Sequence, residues 1–208
     1  MTTHHVKTSV LLNELKESFQ GDVEITVSEV LRRLDGRAFG LLLFILAAPN
    51  CIPNIPGIST IFGTLLIAPA LQMIFGAGQI WLPKKVREYK IEPTNFRNTI
   101  IKTVPILEKI EKWIKPRLEF LTEKPVSIFL GVQVLILAVI LLLPIPFANF
   151  VPGLSIAFLA LGLLQRDGVL IIISFLLFLL SFFFTYIGVV AGVAALKGVY
   201  NAIFGIFS

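Results

Sequence analysis

Two long apolar blocks alternate with two charged segments along this chain. Residues 39–83 contain no Asp, Glu, Lys, Arg or His, and residues 126–208 carry only Arg166, Asp167 and Lys197 as charges. Charge-free runs of this length are typical of helices in a lipid bilayer, where an ionised side chain is costly. Only 15% of all residues are charged and 56% are hydrophobic. The pattern predicts an all-α, polytopic integral membrane protein.

A proline-rich segment interrupts the first apolar block. "PNCIPNIPGIS", from Pro49 to Ser59, holds three prolines and two asparagines. The apolar leg before it, residues 38–48, has eleven residues, and the leg after it, residues 58–71, has fourteen. A helix needs about 20 apolar residues to cross about 30 Å of hydrocarbon. Two short legs joined by a proline turn predict a re-entrant helical hairpin.

The second apolar block repeats this device. "NIPGIS" at 54–59 matches "FVPGLS" at 150–155, an offset of 96, and each following leg ends in Leu-Gln. The order of these features predicts an internal duplication of the kind seen in transporters, where unwound backbone lines a polar site. We expect the two bends to meet around a shared cavity. If residues 126–143 reach the far side of the membrane, the second bend opposes the first, and if this segment turns back early, both bends enter from the cytoplasm. We expect opposition.

The charged segments divide the chain into four parts. These are a leader (1–37), a first membrane unit (38–83), a linker (84–125) and a second membrane unit (126–208). The linker holds eleven basic and six acidic residues, which predicts a cytoplasmic location for it and for the leader, whose membrane-proximal end is basic. Both segments are amphipathic at helical spacing, and Thr26 or Ser28 is the expected N-cap of the leader helix.

The linker's amphipathic pattern fits two arrangements. Its helix lies on the membrane surface through Trp and Lys, or it packs on the protein's own cytoplasmic face. The basic surplus is diluted by acids and adjoins the membrane, so no nucleic-acid partner is expected.

The C-terminal apolar run continues from Gly168 to Leu196. It predicts one long tilted helix or a helix that breaks near residues 186–188. Gly188 and Gly192 form a GxxxG face that suits close packing, and a homodimer is a prediction from it.

Enzymatic motifs are missing from the sequence. It has no Walker loop, HExxH or GxSxG motif, and no His/Asp/Glu cluster in its apolar part. The single cysteine, Cys51, forms no internal disulfide and offers no metal cluster. We therefore expect a non-enzymatic protein without a cofactor or a bound metal.

A few polar side chains in or beside the apolar blocks are the candidate ligand-binding residues. Asn54 and Asn149, in the two bends, either bind a headgroup or ion or only turn the chain beside proline. The glutamines, with Gln133 as a further member, bind a ligand or join helices by hydrogen bonds. Arg166-Asp167-Gly168 is a functional charged cluster with Arg166 on a phosphate, or a turn in which Asp caps the next helix and Gly supplies a positive φ. The candidates are Asn54, Asn149, Gln72, Gln165, Arg166 and Asp167.

Four stretches resemble successive motifs of the ExoD family of bacterial membrane proteins, named for exopolysaccharide synthesis. They are "PNIPGISTIFGTLLIAPALQMIFGAGQIWLP", "LEKIEKWIKPR", "PIPFANFVPG" and "LGLLQRDG". The resemblance covers about residues 10 to 190, and Lys115 stands where the family pattern has a further arginine. It implies a multi-pass protein of the bacterial inner membrane linked to exopolysaccharide production, and it supplies no catalytic residue.

Two functions remain open at this point. One is transport of a small ion or an anionic lipid carrier, such as polyprenyl phosphate, through a cavity between two hairpins. The other is a non-transporting scaffold or regulator that holds polysaccharide-synthesis enzymes through the linker. Membrane lipids are expected partners in both cases.

Overall fold

The described part of the chain is almost entirely helical. In the computed structural model, the described residues are 25–34, 37–51, 58–92, 117–143 and 149–204, with single positions at 10, 13, 14, 17, 101, 104, 105, 108 and 109. Within these residues the strands form one two-residue antiparallel ribbon, in which β1 (Ile25–Thr26) pairs with β2 (Lys90–Ile91). The predicted all-α class is confirmed.

Seven helices with bounds inside the described ranges follow the order of the apolar and charged segments. They are α1 (Val27–Leu34), α2 (Ala38–Ala47), α3 (Ile58–Ile74), α4 (Lys84–Arg87), α5 (Lys124–Leu142), α6 (Phe150–Gln165) and α7 (Gly168–Phe204). Two 3₁₀ turns, Ala48–Cys51 and Glu119–Thr122, follow α2 and precede α5. Of the two expected caps of α1, Thr26 is the one used, since its Oγ1 accepts the N–H of Glu29 at 3.3 Å. Helix α7 is continuous, without the alternative break near residue 186.

Helices α2 and α3 pair with α6 and α5, respectively, and each pair is antiparallel. Gly40, early in α2, lies against Leu164 near the end of α6, whereas Asn50, just after α2, lies against Gly153 in the first turn of α6. The α3–α5 pair has the same arrangement, because Gly63 faces the last turn of α5 and Thr60 Oγ1 donates to the Leu142 carbonyl at 3.4 Å.

Four glycines allow these helices to touch backbone to backbone. A Cβ on Gly40 would lie 2.8 Å from the Ala160 carbonyl oxygen, and a Cβ on Gly131 would lie 3.0 Å from the Ala70 carbonyl oxygen. A Cβ on Gly63 would lie 3.0 Å from a carbonyl oxygen of α5, and one on Gly153 would lie 2.9 Å from the Asn50 carbonyl oxygen. A larger side chain at any of the four positions requires the helices to separate.

The two hairpins, α2–α3 and α5–α6, point the same way. A single cavity is lined by residues from the starts of α2 and α5 and from the ends of α3 and α6. We call this side of the bundle the open end and the opposite side, where Asn50 and Asn149 lie, the bend end. The expectation that the second bend opposes the first is wrong, because α5 and α6 turn back together at the same end as α2 and α3.

The core of the bundle lies where the four hairpin helices meet. Its fully buried members include Leu43, Leu66, Leu137, Ile156 and Leu159. Two described helical segments are long and apolar enough to cross a membrane by length and composition, Pro125–Leu142 and Gly168–Ala194. Shorter apolar helices run over Ala38–Cys51, Ser59–Ile74 and Phe150–Gln165.

Helix α7 packs along α6 with its first half only. Ser174 and Ser181 are fully buried there. Farther along, Phe183 and Tyr186 are exposed, the latter at 69%, and a Cβ on Gly192 would meet no atom within 4 Å. The stretch of α7 around Tyr186 and Gly192 therefore exposes apolar side chains instead of packing them against the bundle.

Candidate functional site

A cavity of about 540 Å³ lies at the open end, enclosed by the ends of four helices. Phe39 and Leu163 line it with apolar side chains, and Gly78 lines it with backbone atoms only. Its charged lining residues are Glu119, Glu123 and Arg166, all exposed to solvent. The cavity has the size of a small-molecule site and combines apolar surface with charges of both signs.

The turn between α6 and α7 places Arg166 on the rim of this cavity. Arg166 has φ 52° and ends α6, with its N–H bonded to the Gly162 carbonyl. The Asp167 N–H donates to the same carbonyl at 2.9 Å, and Asp167 Oδ1 accepts the N–H of Val169 at 2.9 Å. Asp167 is 5% exposed and caps α7 as predicted. The predicted positive φ belongs to Arg166, not Gly168, because the helix ends one residue earlier, in a left-handed cap.

Gly168 has a different function, which is close contact with the end of the linker. Its N–H donates to the Arg117 carbonyl at 2.6 Å, and Arg117 and Asp167 form an isolated parallel bridge. A Cβ on Gly168 would lie 2.5 Å from the Leu118 carbonyl oxygen. The linker end is therefore fixed to the α6–α7 turn at the cavity rim.

The two predicted glutamines lie near the open end. Gln72 fixes the loop after α3, since its Oε1 accepts the Trp81 N–H at 2.6 Å and its Nε2 donates to the Trp81 carbonyl at 3.0 Å. Gln165 is half-buried at the last position of α6, beside Arg166. Ligand binding by either residue stays a prediction.

The bend end contains buried oxygen atoms without a hydrogen-bond partner among the described residues. Asn149 precedes α6 and its side-chain Oδ1 is one of them. Asn50 Oδ1 and Ser59 Oγ are two more, on side chains that are 1% and 2% exposed. An unpaired buried oxygen of this kind costs about 1–3 kcal/mol unless water or a ligand satisfies it. The predicted candidate Asn54 lies outside the described residues.

A second buried polar group joins α5, α6 and α7 inside the bundle. Gln133 Nε2 donates to Ser174 Oγ at 2.8 Å, and Ser155 Oγ donates to the Ser174 carbonyl at 2.8 Å. Gln133 Oε1 is buried without a partner in the described chain. The expected role of Gln133 in joining helices is confirmed. Sequence reasoning missed both serines and Asn50, and the only available signal was a polar residue within an apolar run or a bend.

Comparison with known proteins identifies the family. The profile described as "Exopolysaccharide synthesis, ExoD" matches residues 8–187. The chain belongs to the ExoD family. It is 34% identical over 152 residues to Protein ExoD of Rhizobium meliloti (strain 1021), a match that covers 71% of this chain and 63% of the rhizobial protein.

A second relative of this ExoD-family chain comes from a cyanobacterium. An uncharacterised protein of Synechocystis sp. (strain ATCC 27184 / PCC 6803 / Kazusa) is 29% identical over 148 residues, covering 70% of both chains. No solved structure matches the chain. The description of the family names exopolysaccharide synthesis, and the chain spans less than two thirds of the length of the rhizobial relative.

In this ExoD-family protein, buried hydrocarbon side chains separate two polar regions at opposite ends of the bundle. The open-end cavity and the polar bend end are separated by a fully buried apolar layer that includes Leu43, Leu66 and Leu137. No group of three or more His, Cys, Asp or Glu side chains that could hold a metal ion occurs among the described residues. The described site is a water-facing cavity closed at its base by hydrocarbon side chains.

Proposed function

We propose that this ExoD-family protein is a multi-pass, non-enzymatic protein of the bacterial inner membrane that supports exopolysaccharide synthesis by transport. The substrate class is a small ion or an anionic lipid carrier, such as polyprenyl phosphate. The observation that carries the proposal is the 540 Å³ cavity between two hairpins of the same orientation. Duplicated hairpins with broken helices are common in transporters, and this cavity opens between two hairpins of that kind.

Helix lengths support a re-entrant placement of both hairpins. Helix α7 has no charge between Asp167 and Lys197, about 44 Å of helix at 1.5 Å per residue, whereas α6 rises only about 24 Å. Both helices leave the same turn at the open end. The hydrocarbon core is about 30 Å thick, so a tilted α7 spans it and the shorter α6 ends inside it. Helix α5, at 19 residues, is the one hairpin helix of the described chain that is just long enough to cross, and its pairing with α6 sets the depth of that hairpin. The exposed apolar half of α7 then faces lipid instead of water.

Charge supports a cytoplasmic open end. Lys84, Lys85 and Arg87 form the exposed helix α4 close to the start of α2 and the end of α3. Basic residues beside membrane segments favour the cytoplasmic side. In this placement the cavity opens toward the cytoplasm.

The glycine contacts support an internal duplication. Gly131 lies 91 residues after Gly40, and it contacts the end of α3 as Gly40 contacts the end of α6. Gly153 lies 90 residues after Gly63, and it contacts the chain at the end of α2 as Gly63 contacts the end of α5. These contacts fit a spacing of 90 or 91 residues rather than the 96 of the proline-glycine motifs. The two hairpins then pack around a pseudo-twofold axis that runs through the cavity.

Filling the cavity tests the proposed function. Gly78 lines the cavity and a Cβ there would meet no atom within 4 Å, so Gly78→Trp adds bulk without a steric clash. Gly192→Trp is the matched control, because Gly192 is equally open and lies on α7 away from the cavity. Both variants are compared with the parent for exopolysaccharide yield in a deletion strain and for flux of ions and polyprenyl phosphate across liposomes.

We expect Gly78→Trp to lower flux and exopolysaccharide yield at least about tenfold at normal protein abundance, and Gly192→Trp to retain both. Full activity of Gly78→Trp would contradict transport through the cavity. The scaffold function would then take its place, with the linker surface as the part to mutate.

A further inference from the structure

A second cavity, of about 330 Å³, lies beside the open end between α1 and the segment after α3. Two arginines, Arg32 of α1 and Arg87 of α4, line it together with Ser28 and Gln79. Its apolar lining includes Trp81. None of its described lining residues is acidic, so its lining contributes two positive charges, each with a glutamate outside the lining, 3.6 Å or 3.8 Å away.

The fold brings the two arginines together from distant parts of the chain. The β1–β2 ribbon pairs Thr26 with Lys90, and the Val27 N–H donates to the Tyr89 carbonyl at 3.2 Å. These bonds hold the start of α1 against the end of α4. At the other end of α1, Leu31 and Ile80 pack on the same small apolar cluster. The cavity is the space enclosed between these two attachments.

Both guanidinium groups remain available to a ligand. Arg32 lies 3.6 Å from Glu29, and Arg87 lies 3.8 Å from Glu88, with the arginine side chains 74% and 49% exposed. Exposed ion pairs of this kind contribute little, so a better partner displaces them. Arginine binds phosphate oxygens with two parallel N–H groups, and the hydroxyl of Ser28 and the amide of Gln79 add further donors.

The position of the cavity indicates an amphiphilic ligand. Trp81 is 68% exposed and follows the end of the apolar α3, where amphipathic aromatic residues favour the membrane interface. Ile80 and Leu82 provide apolar lining next to the arginines. A ligand with a phosphate group and an acyl or prenyl chain matches both surfaces.

We propose that this cavity, with Arg32 and Arg87 as its anchors, binds the phosphate group of an anionic lipid at the face of the membrane where the open end lies. The inference rests on the proposed membrane placement and deepens the proposed function, because it gives a lipid phosphate a docking site next to the 540 Å³ cavity. The shared chemistry is an ionised phosphate group, whether carried by a lipid as a monoester or free in solution as inorganic phosphate.

Binding is measured with the full chain in neutral detergent, by Trp81 fluorescence in a Trp113→Phe background, since Trp113 is the chain's other tryptophan. The probes are dioctanoyl phosphatidic acid, dioctanoyl phosphatidylcholine and inorganic phosphate. The test variant is Arg32→Ala with Arg87→Ala. The matched control is Lys84→Ala with Lys85→Ala, which removes two positive charges from the same surface but from residues that do not line the cavity.

We expect saturable binding of phosphatidic acid, at least about tenfold weaker in the double arginine variant and changed less than about threefold in the lysine control. Phosphatidylcholine should bind more weakly than phosphatidic acid. If inorganic phosphate binds as tightly as phosphatidic acid, the site belongs to free phosphate and the lipid assignment is overturned. Equal weakening in the two double variants at matched thermal stability, or no saturable signal, would overturn the site itself.

This outcome is separable from that of the proposed function. If Gly78→Trp does not change flux but phosphatidic acid binding still depends on the two arginines, the lipid site stands and the transport proposal fails. If Gly78→Trp lowers flux but the double arginine variant binds phosphatidic acid as the parent does, the transport proposal stands and the lipid site fails.

Discussion

At the scale of single residues, the small side chains in the interior determine how closely the helices approach. Gly40 and Gly192 both occupy helix interiors, but a Cβ at Gly40 would lie 2.8 Å from backbone atoms of α6, whereas one at Gly192 would meet open space. The same substitution is therefore expected to have opposite effects at the two positions.

Gly40→Ala should destabilise the protein by about 1–3 kcal/mol, because α2 and α6 must separate. Gly192→Ala should be neutral or stabilising by about 0.5–1 kcal/mol, the usual helix preference for alanine. Thermal unfolding in detergent checks both changes. Similar midpoints for the two variants would contradict the close α2–α6 contact.

The buried Gln133–Ser174 hydrogen bond permits a second test at this scale. Ser174→Ala leaves the Gln133 Nε2 without its acceptor and should cost about 1–3 kcal/mol. Adding Gln133→Leu removes the orphaned amide and should recover part of that loss. Additive losses in the double variant, measured by the same unfolding assay, would show that the two side chains do not interact.

At the scale of elements, backbone hydrogen bonds and a helix cap fix the α6–α7 turn. Asp167→Ala removes the cap of α7 and should lower stability by about 0.5–2 kcal/mol, whereas Asp167→Asn keeps an oxygen for the Val169 N–H. Unfolding midpoints should fall clearly for the alanine variant and little for asparagine. An equal fall for both would indicate that the carboxylate's charge, not the cap, stabilises the turn.

The sequence was sufficient to predict the elements but not how they pair. The short apolar helices and the capping role of Asp167 follow from local rules on helix length and turn residues. The orientation of the second hairpin does not, because counting apolar residues in α5 gives a length and not the contacts of Gly131 or Gly63. Those contacts join residues far apart in sequence.

The candidate site was predictable to a similar degree. Arg166 was identified as a charge beside an apolar run, and it lies on the cavity rim. Asn50, Ser155 and Ser174 were missed, since a serine or asparagine in an apolar helix carries no mark of which neighbour it faces. The arginine cavity was missed too, because Arg32 and Arg87 are brought together by the β1–β2 ribbon.

At the scale of the whole molecule, two parallel hairpins and one longer helix divide the bundle into three levels along its axis. The open end holds the exposed charges of α4, the bend end holds Asn149, and α7 extends past the bends to Lys197. The proposed re-entrant placement assigns these levels to one membrane face, the hydrocarbon interior and the opposite face.

Accessibility of single cysteines to a membrane-impermeant maleimide tests this placement most directly. In a Cys51→Ala background, Gly78→Cys, Asn149→Cys and Lys197→Cys are labelled in intact cells and in inverted vesicles. We predict that Gly78→Cys reacts only in inverted vesicles, Lys197→Cys only in intact cells, and Asn149→Cys in neither until detergent is added. Labelling of Asn149→Cys in intact cells as fast as Lys197→Cys would put the bend in water and contradict the account.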